Sequence, residues 1–121
     1  MDATAFEALV AEALDGIPEE FARYLENVSV VVEDEPSPAL LREMSMDPEE
    51  DTLYGLYQGT PLSERTHDFT GLPDRISIYR GPLLRDFRSR NAIRRQIRLT
   101  VVHEIAHFFG LDERRIRRLG Y

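Results

Sequence analysis

The 121-residue chain has no cysteine, so no disulfide can form. That absence suits a reducing compartment, and a cytoplasmic location is the expectation. Lysine is also missing: all fifteen basic residues are arginine. This reads as a genomic preference, although arginine does pair well with carboxylates. No apolar run approaches the roughly 20 residues needed to cross a bilayer. Met1 to Leu14 carries Asp2, Glu7 and Glu12 but no basic residue, and its apolar residues are spaced as a helix, which argues against a signal peptide. Repeats and low-complexity segments are absent. With 42% hydrophobic and 31% charged residues, the composition predicts one soluble domain spanning residues 1–121.

The net charge of −7 conceals a division. Met1 to Thr60 holds fifteen acidic and two basic residues, whereas Pro61 to Tyr121 holds seven acidic and thirteen basic, giving −13 against +6. Mutual ion pairing within one fold is the expected use of this division. Nucleic-acid binding is disfavoured, because a basic footprint needs arginines clustered on one exposed face.

Hydrophobic periodicity predicts the order helix, helix, strand, short helix, strand, loop, strand, helix, long helix and a final helical turn. Thr4 to Asp15 forms the first helix, with Phe6, Leu9, Val10, Ala13 and Leu14 on its apolar face. Gly16 and Pro18 break it, and Pro18 opens a second helix through Phe21, Tyr24 and Leu25. Val28 to Val32 is a β-branched run of strand type. Glu33 to Pro38 is an acidic loop, and Ala39 to Met44 is a short helix. Leu53 to Gln58 alternates as an edge strand, with Gly55 and Gly59 permitting close approach of a substrate backbone. Gly59 to Pro73 is a polar connection expected to wall a cleft. Ile76, Ile78 and Tyr79 form the last strand. Gly81-Pro82 ends it, and Leu83 to Phe87 begins helical structure. The fold class is α+β, with a small mixed sheet of about three strands.

Only three histidines occur, and two of them sit in His103-Glu104-Ile105-Ala106-His107. Four residues apart on a helix they differ by about 40° around the axis, so both rings leave one face and can close on one ion. Glu104 reaches the edge of that face, where it can take a proton from a metal-bound water without itself being a ligand. Ile97, Val101, Ile105 and Phe108 repeat at helical spacing, widened by Val102 and Phe109, and form the face to be buried. Gln96, Thr100, His103, His107 and Gly110 lie opposite, which keeps the histidines off the core side.

A catalytic zinc generally takes three protein ligands, so one is missing. Gly110 is expected to end the helix in the left-handed conformation, after which the chain turns back. Glu113 stands at the third-ligand position of the extended pattern H-E-x-x-H-x-x-G-x-x-[H/D]. Asp112 competes for that role, although its simpler use is to cap a last helix from Glu113 to Leu119. His67, in a polar loop, is a third candidate.

Three segments, Leu53 to Leu62 (LYGLYQGTPL), Leu72 to Leu84 (LPDRISIYRGPLL) and above all Val101 to Tyr121 (VVHEIAHFFGLDERRIRRLGY), resemble the small bacterial zincin-like metallopeptidases. The resemblance implies a compact zincin-like α/β domain, zinc held by His103, His107 and a carboxylate, and an assumed peptidase activity without a defined substrate. That family usually carries Asp where this chain has Glu113. Metzincins place a methionine-bearing turn well after the motif, and thermolysin-like enzymes take their third ligand from a second downstream helix. The fourteen residues after His107 offer neither.

The expected chemistry is therefore hydrolysis of a peptide or protein substrate. His103, His107 and Glu113 hold the metal and Glu104 serves as general base, then as proton donor to the leaving amine. Tyr79, Tyr121 and several arginines are nominal oxyanion donors, each with a simpler surface or core role. Two rivals are retained. One is a metal-dependent endoribonuclease using Arg85, Arg88, Arg90, Arg94, Arg95 and Arg98 on phosphates, although such enzymes carry a third motif histidine and lack the Glu after the first. The other is a non-catalytic regulatory module that keeps zinc for stability.

Overall fold

Asp2 opens the first helix: its carboxylate accepts from the Ala5 amide at 2.8 Å and caps α1 (Ala3–Asp15). The computed structural model describes residues 1–59 and 74–121. Phe6, Leu9, Val10 and Ala13 of α1 are buried at helical spacing. The second helix is shorter than its apolar spacing suggests. After Pro18, α2 (Glu19–Ala22) makes a single turn and tightens into a 3-10 turn, Arg23–Leu25. Strand β1 (Val28–Glu33) follows, and then α3 (Pro38–Glu43), whose Ser37 hydroxyl accepts from the Leu40 amide at 3.1 Å.

Strand β2 (Gly55–Gln58) starts two residues later than the alternating pattern from Leu53. Strand β3 (Asp74–Tyr79) runs directly into α4 (Arg80–Asp86). The strand ends just before Gly81-Pro82, as expected, but the helix starts earlier than Leu83 and takes Gly81-Pro82 into its first turn. Amides there have no intrahelical acceptor, so a proline costs nothing. The Ser89 hydroxyl accepts from the Ala92 amide at 3.0 Å and opens the long helix α5 (Arg90–Phe109). Gly110 closes α5 at φ 67°, the left-handed geometry that the sequence calls for, and α6 (Glu113–Arg118) follows.

The described strands form one mixed sheet in the order β1-β3-β2. β1 runs parallel to the central β3, and β2 runs antiparallel to it, with Gly55 opposite Ile78 and Tyr57 opposite Ile76. The Tyr79 amide donates to the Tyr54 carbonyl at 2.9 Å. Because hydrogen-bonded and non-bonded pairs alternate along an antiparallel ladder, this fixes the phase. Leu56 and Gln58 bond across to β3, while the backbone groups of Gly55 and Tyr57 face the other edge of β2. Helices α1 and α5 cover one face of the sheet. Phe6, Leu9, Ile76, Ile78, Ile97, Val101 and Ile105 are completely excluded from solvent between them. The domain is thus α+β, as its sequence pattern indicates.

The charge division is used internally. Arg80 pairs with Asp34, Arg85 with Glu35, Arg90 with Glu12 and Arg115 with Glu20. Every one of these pairs joins the acidic half to the basic half.

Gly55 sits where the sheet meets α5. A Cβ at this position would lie 2.8 Å from Thr100 Cγ2 and 2.9 Å from the Ser77 carbonyl oxygen. The carbonyl belongs to the central strand and cannot swing away, so Gly55→Ala must push β2 off the helix. A loss of about 1–3 kcal/mol in thermal or denaturant unfolding is the expected result; an unchanged midpoint would contradict this packing. Gly59 is likewise pressed against the protein, facing Asp74 and Phe108. Gly55 in β2 and Gly59 just beyond it therefore serve internal packing, a role that the alternating pattern does not reveal.

Candidate active site

His103, Glu104 and His107 emerge from α5 into one cleft of about 550 Å³. Its walls are Gln96, Leu99 and Thr100 of the same helix and, across from them, Met44 and the approach to β2 from Thr52 to Leu56. The helix turns its other side inward, where Ile97, Val101, Val102 and Ile105 are fully buried. Phe108 is only half-buried and Phe109 remains 39% exposed, so the apolar stripe fades at its C-terminal end. Both rings still pack, Phe108 stacking on Tyr57 at 4.1 Å and Phe109 lying 4.7 Å from Tyr24.

Glu104 is half-buried, and its carboxylate accepts from the backbone amide of Tyr57. That amide is one of those facing away from β3. Loss of hydration is the largest influence on Glu104 and raises its carboxyl above the usual range, while His107 and the Tyr57 amide work in the opposite direction. Tyr57 is itself pinned: its hydroxyl donates to Asp74 Oδ2 at 2.6 Å in a buried contact, and its ring is stacked on Phe108. The alternating pattern of Leu53 to Gln58 locates this strand, but nothing in the sequence marks the Tyr57 amide as the partner of Glu104.

Beyond Gly110 the two acidic candidates separate. Asp112 caps α6, its carboxylate accepting from the Arg114 amide at 2.9 Å. Glu113 points to the motif: its Oε1 lies 3.2 Å from His107 Nε2. Both partners are open to water, His107 with 72% and Glu113 with 47% of the side chain exposed. Two imidazoles one turn apart and a carboxylate that already touches one of them are a donor set suited to zinc. His103 does not join the His107–Glu113 pair as a closed cluster of three donors among the described residues.

The aromatic oxyanion candidates lie elsewhere. Tyr79 is buried beside Glu33 and Arg75, and Tyr121 packs edge-on against Phe21 at 6.4 Å. Tyr54, not singled out by the sequence, does line the cleft. Its hydroxyl donates to Asp86 Oδ2 at 2.5 Å, and that hydrogen bond, together with burial, pushes the phenol up to about 12, so it stays protonated. His67 and the greater part of the Gly59 to Pro73 connection lie outside the described residues.

A family model for zincin-like metallopeptidases matches residues 25–121. Among solved structures, a conserved hypothetical protein of Thermus thermophilus superposes with a TM-score of 0.58 and 27% identity, covering 90% of this chain and 94% of its own. No curated protein matches. The model match covers most of the chain, including every motif residue from His103 to Glu113, and the chain belongs to the zincin-like metallopeptidase family.

Proposed function

We propose that the protein is a zinc-dependent peptidase in which His103, His107 and Glu113 hold the metal. When bound, zinc would polarise the peptide carbonyl and acidify the attacking water. Glu104 takes the proton from that water and passes it to the leaving amine. The Tyr57 amide orients Glu104, and Asp74 and Phe108 hold Tyr57 in place. The outward-facing amide and carbonyl of Gly55 on the edge of β2 are available to pair with an extended substrate. The observation that carries this reading is the single cleft that gathers His103, Glu104 and His107 beside that edge, with Glu113 on His107.

The endoribonuclease reading loses support from the same geometry. Of its six arginines, Arg85 and Arg90 are committed to Glu35 and Glu12, and Arg98 donates to the Ala13 carbonyl at 3.1 Å. The open cleft beside the motif also counts against a purely structural zinc module. No helix among the described residues is long and apolar enough to cross a membrane. A cytoplasmic peptide substrate belongs to the same proposal, supported by the cysteine-free composition.

The test is elemental analysis of protein purified without chelator, followed by cleavage of a peptide library with and without metal. Roughly one zinc per chain and cleavage that disappears with chelator are expected. Stoichiometric zinc with no cleavage of any peptide would defeat the peptidase reading.

A further inference from the structure

We infer that the cleft beside the motif selects a large, uncharged apolar side chain of the peptide, seated against Leu99, Met44 and Leu53, an inference that rests on the peptidase reading above. Leu99, His103 and His107 follow one another at four-residue intervals on α5. Leu99 therefore stands one turn before His103, about 6 Å along the axis and about 40° around it. All three line the same cavity, and Met44 and Leu53 face them across it. An extended peptide advances about 3.3 Å per residue, so the side chain that meets Leu99 belongs to a residue within about two positions of the bond held at the histidines.

These apolar side chains are not part of the core. Leu99, Met44 and Leu53 are each half-buried, and none belongs to the buried cluster around Ile97 and Ile105 or to the apolar side chains packed on its surface. The polar groups of the adjoining walls are directed elsewhere. Gln96 donates to the Thr100 hydroxyl at 3.2 Å, and the Tyr54 hydroxyl donates to Asp86, which leaves the Tyr54 ring to the cleft. Although 31% of the chain is charged, Glu104 is the only Asp, Glu or Arg among the described residues that line the cavity. A second cavity, beside Tyr79, is lined by Glu33, Glu35, Glu43 and Arg75. A charged side chain entering the motif cleft would lose water and find no counter-ion apart from Glu104, whereas an apolar one is stabilised by burial.

The inference is tested with zinc-loaded wild-type protein and dipeptide hydroxamates, which hold the metal without being cleaved. The probes are made from leucine, alanine, glutamate or arginine, with the hydroxamate at either end. With the hydroxamate at its better end, the leucine probe should bind about tenfold more tightly than the alanine probe, the low end of what a fitted apolar pocket gives, and should also lead both charged probes. Raising the salt should leave the leucine-to-alanine ratio in place, because no ion pair contributes to it. Combining Leu99→Ala with Leu53→Ala should bring that ratio close to one, and Leu99→Arg should move the glutamate probe into first place. Circular dichroism and zinc content report whether each variant is folded, and Met44→Ala, which should lower the ratio, serves if the others are not. Equal binding of the leucine and alanine probes, a charged probe in first place on the wild type, or a ratio unchanged in the folded variants would overturn the inference. A leucine preference with no cleavage of any peptide by the wild-type protein would support the apolar pocket and defeat only the peptidase reading.

Discussion

Glu104→Gln is expected to keep zinc at wild-type stoichiometry while kcat falls by roughly 10²- to 10⁴-fold, the usual range for a positioned general base. The substitution preserves size and leaves an amide oxygen to accept from Tyr57, so the cleft should hold its shape while the proton acceptor is lost. Because Glu104 is not among the proposed ligands, metal analysis separates this result from simple loss of the site. Retained cleavage would refute the role. The pH profile of the wild type provides a second readout. As pH falls Glu104 takes up a proton and the base is lost; burial raises its carboxyl, so the acid limb of kcat/KM should lie above that of an exposed carboxylate.

Glu113→Ala should weaken zinc binding by at least about a hundredfold, since even outer-shell partners of a metal ligand are worth roughly 10- to 100-fold. Asp112→Ala should leave zinc affinity near wild type and instead cost about 1 kcal/mol of stability, the usual value of a helix N-cap. The contrast follows from geometry: Asp112 spends its carboxylate on the Arg114 amide, whereas Glu113 faces His107. His107→Ala and His103→Ala should both behave as Glu113→Ala does. Competition against a chromophoric chelator measures all four affinities. An Asp112→Ala variant that loses zinc while Glu113→Ala keeps it would exchange the two roles.

The helical elements and the position of the motif were legible because they depend on local periodicity and capping chemistry. Asp2, Ser37, Ser89 and Asp112 all cap as their residue types demand, and Gly110 takes the left-handed turn. Limits blurred where tertiary contact overrides local pattern. The run from Leu53 becomes a strand only from Gly55, where pairing with β3 begins. Gly81-Pro82 marks the end of β3, but the helix begins earlier than Leu83, because the Gly81 amide donates to the Asp34 carbonyl at 2.8 Å and the first turn of α4 forms around it. The site was legible down to His103, Glu104 and His107 lining a single cleft. The support of Glu104 by the Tyr57 amide was not, because a backbone group carries no sequence signal. Only the ladder phase beside β3 shows which way it points.

The central place of β3 bears on how the chain matures. Among the described residues, Val28 to Glu33 pairs with Asp74 to Tyr79, and the apolar face of α1 is buried together with residues of β3 and α5. A growing polypeptide therefore exposes its strongly anionic first half well before any arginine-rich counterpart exists. Self-repulsion should keep that nascent portion dispersed, and compaction should come as a late, concerted event once the histidine-bearing helix has been synthesised.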